Sequence, residues 1–143
     1  MTTFLRSAVA LTLLGASAAA QCCTVSATGL AFGSYNPFDA LPTDSTATIT
    51  VDCPTSYTVE LDGGQAGSFA PRSMSSVDDT LQYNIYTSPS FSTIVGDGSG
   101  ATQTLAGAGA ATPTEHVVHG RIFASQNPRI GSYSDLIVVT VNF

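Results

Sequence analysis

His116 and His119 are the residues of this 143-residue chain whose type and spacing come nearest to a metal site, since two imidazoles can share one ion. An i, i+3 pair chelates from one face of a helix, but EHVVHGRIFA alternates as a strand, which turns the two rings to opposite faces. No shared ligation is expected. Asp97 lies in GDGSG at 96–100, where the alternating acidic ligands of a calcium loop are missing. The same glycines lack the following lysine and helix of a phosphate loop, leaving a turn. Asp78 and Asp79 are adjacent and therefore splay apart in extended chain, which suits a solvated turn better than an acid/base pair. Ser, His and Asp all occur, but without a G-x-S-x-G elbow or another nucleophile signature. The expectation is a protein that is not an enzyme and needs no metal or cofactor.

Cysteine chemistry is the exception. Cys22, Cys23 and Cys53 are an odd count, so at most one internal bridge forms. Cys53 shares a face with Ala47, Ile49 and Val51, and Cys23 with Val25 and Ala27, so these two are expected to meet in the core while Cys22 points away. Closing that loop is worth about 3.6 kcal/mol in the chain-entropy model. Gly131-Ser132-Tyr133-Ser134-Asp135 places a tyrosine at the entry to a strand after a glycine turn, which resembles a tyrosine corner, a structural device.

The elements that must position these residues are strands. TATITVDC at 46–53 alternates with Ala, Ile, Val and Cys inward; Tyr57, Val59 and Leu61 follow, then Leu81, Tyr83 and Ile85. Six main strands are expected, beginning near residues 23, 46, 56, 80, 115 and 133, with 65–76 a loop or edge carrying Arg72 and Met74. Short strands separated by turn signals indicate an all-β, immunoglobulin-like sandwich, one strand short of seven. In the last stretch, YSDLIVVTVNF, the residues Ile137, Val139, Val141 and Phe143 share a side, so the chain is expected to end inside its own core. That leaves an open edge. The expected consequence is a hydrophobic groove between the first strand, around Val25, Ala27 and Leu30, and the last, around Val139, Val141 and Phe143.

Residues 1–20 carry one basic residue, an apolar run and Ala18 and Ala20 in an A-x-A pattern, which predicts a signal peptide and a domain over 21–143. The run is too short to span a membrane, so no membrane insertion is expected. Without that segment, three arginines face ten acidic residues and there is no lysine, which argues against nucleic acid and anionic lipid as partners. A content of 43% hydrophobic residues in clean alternation argues against disorder.

Taken together, CTVSATGLAFGSY at 23–35, ITVDC at 49–53, YTVELDGG at 57–64, Arg72 with Met74, LQYNIYT at 81–87, GDGSG, HGRIFASQNP at 119–128 and GSYSDLIVVTVNF at 131–143 resemble the spore coat protein U domain. The resemblance implies a secreted subunit of an archaic chaperone-usher pilus, a biofilm fibre or a spore coat, reached through the periplasm. It implies as partners a periplasmic chaperone, an outer-membrane usher and a neighbouring subunit, each strand being lent or exchanged by β-strand addition. Polymerising members carry a strand-forming extension before the first cysteine. With cleavage after Ala20 only Gln21 and Cys22 would precede Cys23, fewer than the five or so residues of a strand. The expectation is therefore a chain that accepts a strand and donates none. The alternative is a tip adhesin binding a surface or glycan, for which Tyr35, Phe38 and Phe69 are the candidate loop aromatics.

Overall fold

A computed structural model describes residues 22–143. The expected signal peptide at 1–20, and with it the expectation about what precedes Cys22, lie outside the described residues. The described chain forms strands and turns with no helix: β1 Thr24–Ala27, β2 Thr43–Asp52, β3 Tyr57–Leu61, β4 Arg72–Ser75, β5 Thr80–Tyr86, β6 Ile94–Val95, β7 Thr102–Gln103, β8 Leu105–Gly107, β9 Thr114–Ile122 and β10 Val139–Asn142.

The strands make two sheets. The larger runs β1-β2-β9-β5-β6-β7, with β4 also paired to β5; the smaller runs β10-β3-β8. Among the described residues only β6 and β7 pair in parallel. Strand β2 lies in one sheet and β3 in the other, so the Pro54 turn carries the chain across the sandwich. The alternating residues fill the space between: Ile49 and Val51, Val59 and Leu61, Leu81, Tyr83 and Ile85, and Val118 and Ile122 are all buried. Each such side chain contributes roughly 1.5–3 kcal/mol through removal from water. This is an immunoglobulin-like, all-β sandwich.

Five of the six expected strands stand within three residues of their expected starts. The additional ones, β4, β6, β7 and β8, are two to four residues long, too short to show a period. The sixth differs: strand geometry begins at Val139, not at Tyr133. Here side chains, one local and one distant, take up backbone donors. Asp135 Oδ1 accepts from the Leu136 N–H at 2.8 Å, and Asp62 Oδ1 accepts from the Val138 N–H at 3.0 Å, so these donors are taken before a ladder can form.

The Cys23–Cys53 disulfide is present and joins the entry of β1 to the end of β2; Cys22 is free and exposed. The facing of the first strand is a correction, however. All four residues of β1 are exposed, including Val25 at 45% and Ala27, the two expected to follow Cys23 into the core. Strand β1 pairs with β2 along one edge only, and no strand of the smaller sheet covers it. Phe143, likewise expected in the core, is 67% exposed, because it lies past the end of β10 at the margin of the small sheet.

Candidate functional site

Among the described residues, two terminal strands each keep one unpaired edge, β1 in the larger sheet and β10 in the smaller. A trough lies between the segment that follows β1 and the segment that leads into β10. Its first cavity, about 330 Å³, is flanked by residues 27–30 on one side and 134–139 on the other, over a floor that includes Ile49, Leu61, Ile85 and Val118. A second cavity, about 560 Å³, is flanked by residues 30–35 and 128–133. Both are lined by Leu30, Phe32, Met74 and Tyr133, so they are contiguous. As the chain advances from 27 to 35, its opposite wall recedes from 139 to 128, and the two walls therefore run in opposite directions.

The first wall packs on a glycine beneath it. A Cβ on Gly120 of β9 would collide with Leu30 and with Phe32 Cζ, the latter at 2.8 Å, so glycine is what lets these two side chains lie flat. Phe32 then meets the Tyr83 ring edge-on, with centroids 6.0 Å apart. Main-chain bonding continues beyond β1, with the Thr28 N–H donating to Thr48 O at 2.9 Å and the Ser45 hydroxyl to Ala31 O at 2.6 Å.

The opposite wall is held by a polar network. Tyr83 Oη donates to Asp135 Oδ2 at 2.7 Å, while Asp135 Oδ1 takes the Gln65 N–H at 2.8 Å. Burial, reinforced by that hydrogen bond and the carboxylate charge, holds the Tyr83 phenol far above the ordinary tyrosine range. Behind it, fully buried Arg72 donates from Nε and Nη2 to Asp62 O, from Nη2 to Val95 O and from Nη1 to Asn84 Oδ1. Desolvation lowers the Arg72 pKa, opposed by Tyr83, Asp62 and Asp135. Tyr133, half-buried, donates its hydroxyl to Arg129 O at 2.8 Å, four residues upstream. A Cβ on Gly131 would stand 2.8 Å from Ser76 Oγ, so this turn approaches the β4–β5 connection closely.

Of the six residues expected to form the groove, Ala27, Leu30 and Val139 line the first cavity. Val141 is half-buried against the core, and Val25 and Phe143 are exposed. Gly131, Tyr133 and Asp135 also lie along the trough. Sequence reasoning missed the buried role of Arg72 and the side-chain work of Asp62; the available signal was R-S-M-S, in which Arg72 and Met74 alternate with serines.

The other candidates, Tyr35 of the second cavity excepted, do not line the trough. On β9 the His116 ring faces Tyr57, whose Oη lies 2.9 Å from Nε2, and His119 stands on the opposite side against Phe91. Among the described residues no three or more His, Cys, Asp or Glu gather as metal ligands would. Asp97 Oδ1 accepts from the Ser99 N–H at 2.9 Å, and Asp79 from the Thr80 and Arg129 N–H groups at 2.8 and 2.9 Å; both close turns. Of the loop aromatics, Phe38 is exposed, Tyr35 is tied to Gln126 and Phe69 lies under Arg72 at 5.1 Å.

A family model described as Spore Coat Protein U domain matches residues 8–140. The chain belongs to the Spore Coat Protein U domain family. No curated protein matches it. Among solved structures, it is similar to a chain of the CsuC-CsuE chaperone–tip adhesion subunit pre-assembly complex from archaic chaperone-usher Csu pili of Acinetobacter baumannii. That likeness has a TM-score of 0.56 and 24% identity over 85% of this chain, and this chain spans 39% of the length of that one. At this identity the likeness concerns the fold.

Proposed function

We propose that this member of the Spore Coat Protein U family is a structural subunit of a chaperone-usher surface fibre or coat, and that it takes an extended strand of another chain into the trough. The observation that carries this reading is an apolar-floored trough whose walls run on from β1 and lead into β10, two strands that each keep one unpaired edge among the described residues. Backbone N–H and C=O groups on such edges seek a partner, and apolar side chains seek cover; one inserted strand supplies both. Because the two walls run in opposite directions, the guest is antiparallel to one and parallel to the other. The partners that fit are a periplasmic chaperone lending the strand, an outer-membrane usher, and a neighbouring subunit that replaces the lent strand at the cell surface. The family match supports this, as does the likeness to a chain of a chaperone–subunit complex. Loop adhesion to a surface or glycan has less support, since Tyr35 and Phe69 are committed to internal contacts.

The test is thermal unfolding of the full chain with a ten-residue peptide of alternating Val and Thr. A guest that binds only the folded state raises Tm in proportion to the logarithm of its concentration. Val139→Asp, which sets a carboxylate against the guest, should remove the rise. A Tm indifferent to peptide at every concentration would overturn the proposal.

A further inference from the structure

We propose that the strand held in the trough presents a lysine or arginine to Asp135, which makes this carboxylate the determinant of which strand is accepted. The inference rests on the strand-accepting reading and adds the chemistry of the guest. The first cavity is apolar along Ile49, Ile85, Val118 and Val139, but Asp135 interrupts its wall. Three of the carboxylate's lone-pair positions are taken, by Tyr83 Oη, the Gln65 N–H and the Leu136 N–H. A carboxylate accepts about four hydrogen bonds. The remaining position is open to the trough, and an inserted strand would close it off from solvent.

What the strand sets against it decides the fit. An apolar guest side chain leaves a charged acceptor desolvated and unpaired, and an acidic one adds repulsion. A basic side chain restores both hydrogen bond and charge. The surroundings favour a cation further: Asp62 and Asp135 stand against one buried cation, Arg72, whose guanidinium is already spent on Asp62 O, Val95 O and Asn84. Arg121 is paired with Asp44 on the outer surface.

The experiment is a binding scan on the full chain by fluorescence anisotropy. Ten-residue Val/Thr peptides carry Lys, Val or Asp at one inward-facing position, moved stepwise along the peptide. At one position Lys is expected to bind at least tenfold more tightly than Asp. In Asp135→Asn that ratio should fall below twofold, and the all-Val peptide, no longer set against an unpaired carboxylate, should bind more tightly than it does to the parent. A flat wild-type profile, or a preference that survives Asp135→Asn, would overturn the assignment and leave strand acceptance standing. Should Asp135→Asn not fold, Asp62→Asn decides instead: loss of the Lys preference there assigns it to Asp62 and overturns the role of Asp135, while retention supports it. Failure of every peptide to bind would overturn strand acceptance itself, and this inference with it.

Discussion

The hydroxyl of Tyr83 on β5 donates to Asp135 Oδ2 across 2.7 Å, joining the larger sheet to the segment that leads into β10. The bond matters because it fixes one wall of the trough. Asp135 is pressed so closely on Gly64 that a side chain there would collide with the carboxylate.

An alkaline limit to stability follows. The folded chain holds the Tyr83 proton more tightly than the unfolded chain, because burial and Asp135 both penalise the phenolate. An unfolded tyrosine titrates near 10. The stabilisation is complete below about pH 10 and declines above it, with a limiting slope of about 1.4 kcal/mol per pH unit. In Tyr83→Phe this part of the decline should vanish, while stability at neutral pH falls by about 1–3 kcal/mol because Asp135 loses a donor. Denaturant melts of both proteins between pH 8 and 11 would measure it; parallel pH profiles would show that the phenol does not ionise differently on unfolding.

Arg72 should be among the costliest positions to change. Its head group serves three acceptors from separate elements, so Arg72→Met leaves Asp62 O, Val95 O and Asn84 Oδ1 without their donors. A loss of about 3–5 kcal/mol is expected. Arg72→Lys should recover little, since a point ammonium cannot reproduce the planar fork. Equal stability of the lysine variant and the parent in urea would refute the geometric argument.

Much of the sandwich is legible because its long strands bury one side chain in two. Residues 46–53, 57–61 and 81–85 announce themselves by that period, and their inward members are buried as it implies. The Cys23–Cys53 bridge was legible too, although the facing of Val25 and Ala27 was not. A bridge needs only proximity at the strand's entry, whereas burial needs a covering layer that β1 lacks. What the sequence conceals is polar work at long range. Asp135 meets Tyr83 from 52 residues away, and Asp62 meets the Val138 N–H from 76, so no local pattern marks either. Arg72 sits in a strand of four residues, where a charge looks like a loop.

The glycine beneath Leu30 and Phe32 gives a prediction that separates stability from binding. Gly120 is buried in β9 with the ends of Leu30 and Phe32 above its Cα. In Gly120→Ala the new methyl group meets movable side-chain tips, not backbone, so the fold should survive at the cost of about 1–3 kcal/mol, typical of overpacking. Because the core lies beneath, Leu30 and Phe32 can yield only outward, into the space both cavities share. Strand affinity should therefore fall by more than the lost stability explains. Val95→Ala is the control, since Val95 is fully buried in β6 and does not line the trough. Truncating it opens a void and lowers Tm without touching the guest's path. If Gly120→Ala and Val95→Ala, compared at equal distance below their respective Tm, bind a strand peptide equally well, then Leu30 and Phe32 do not shape the site.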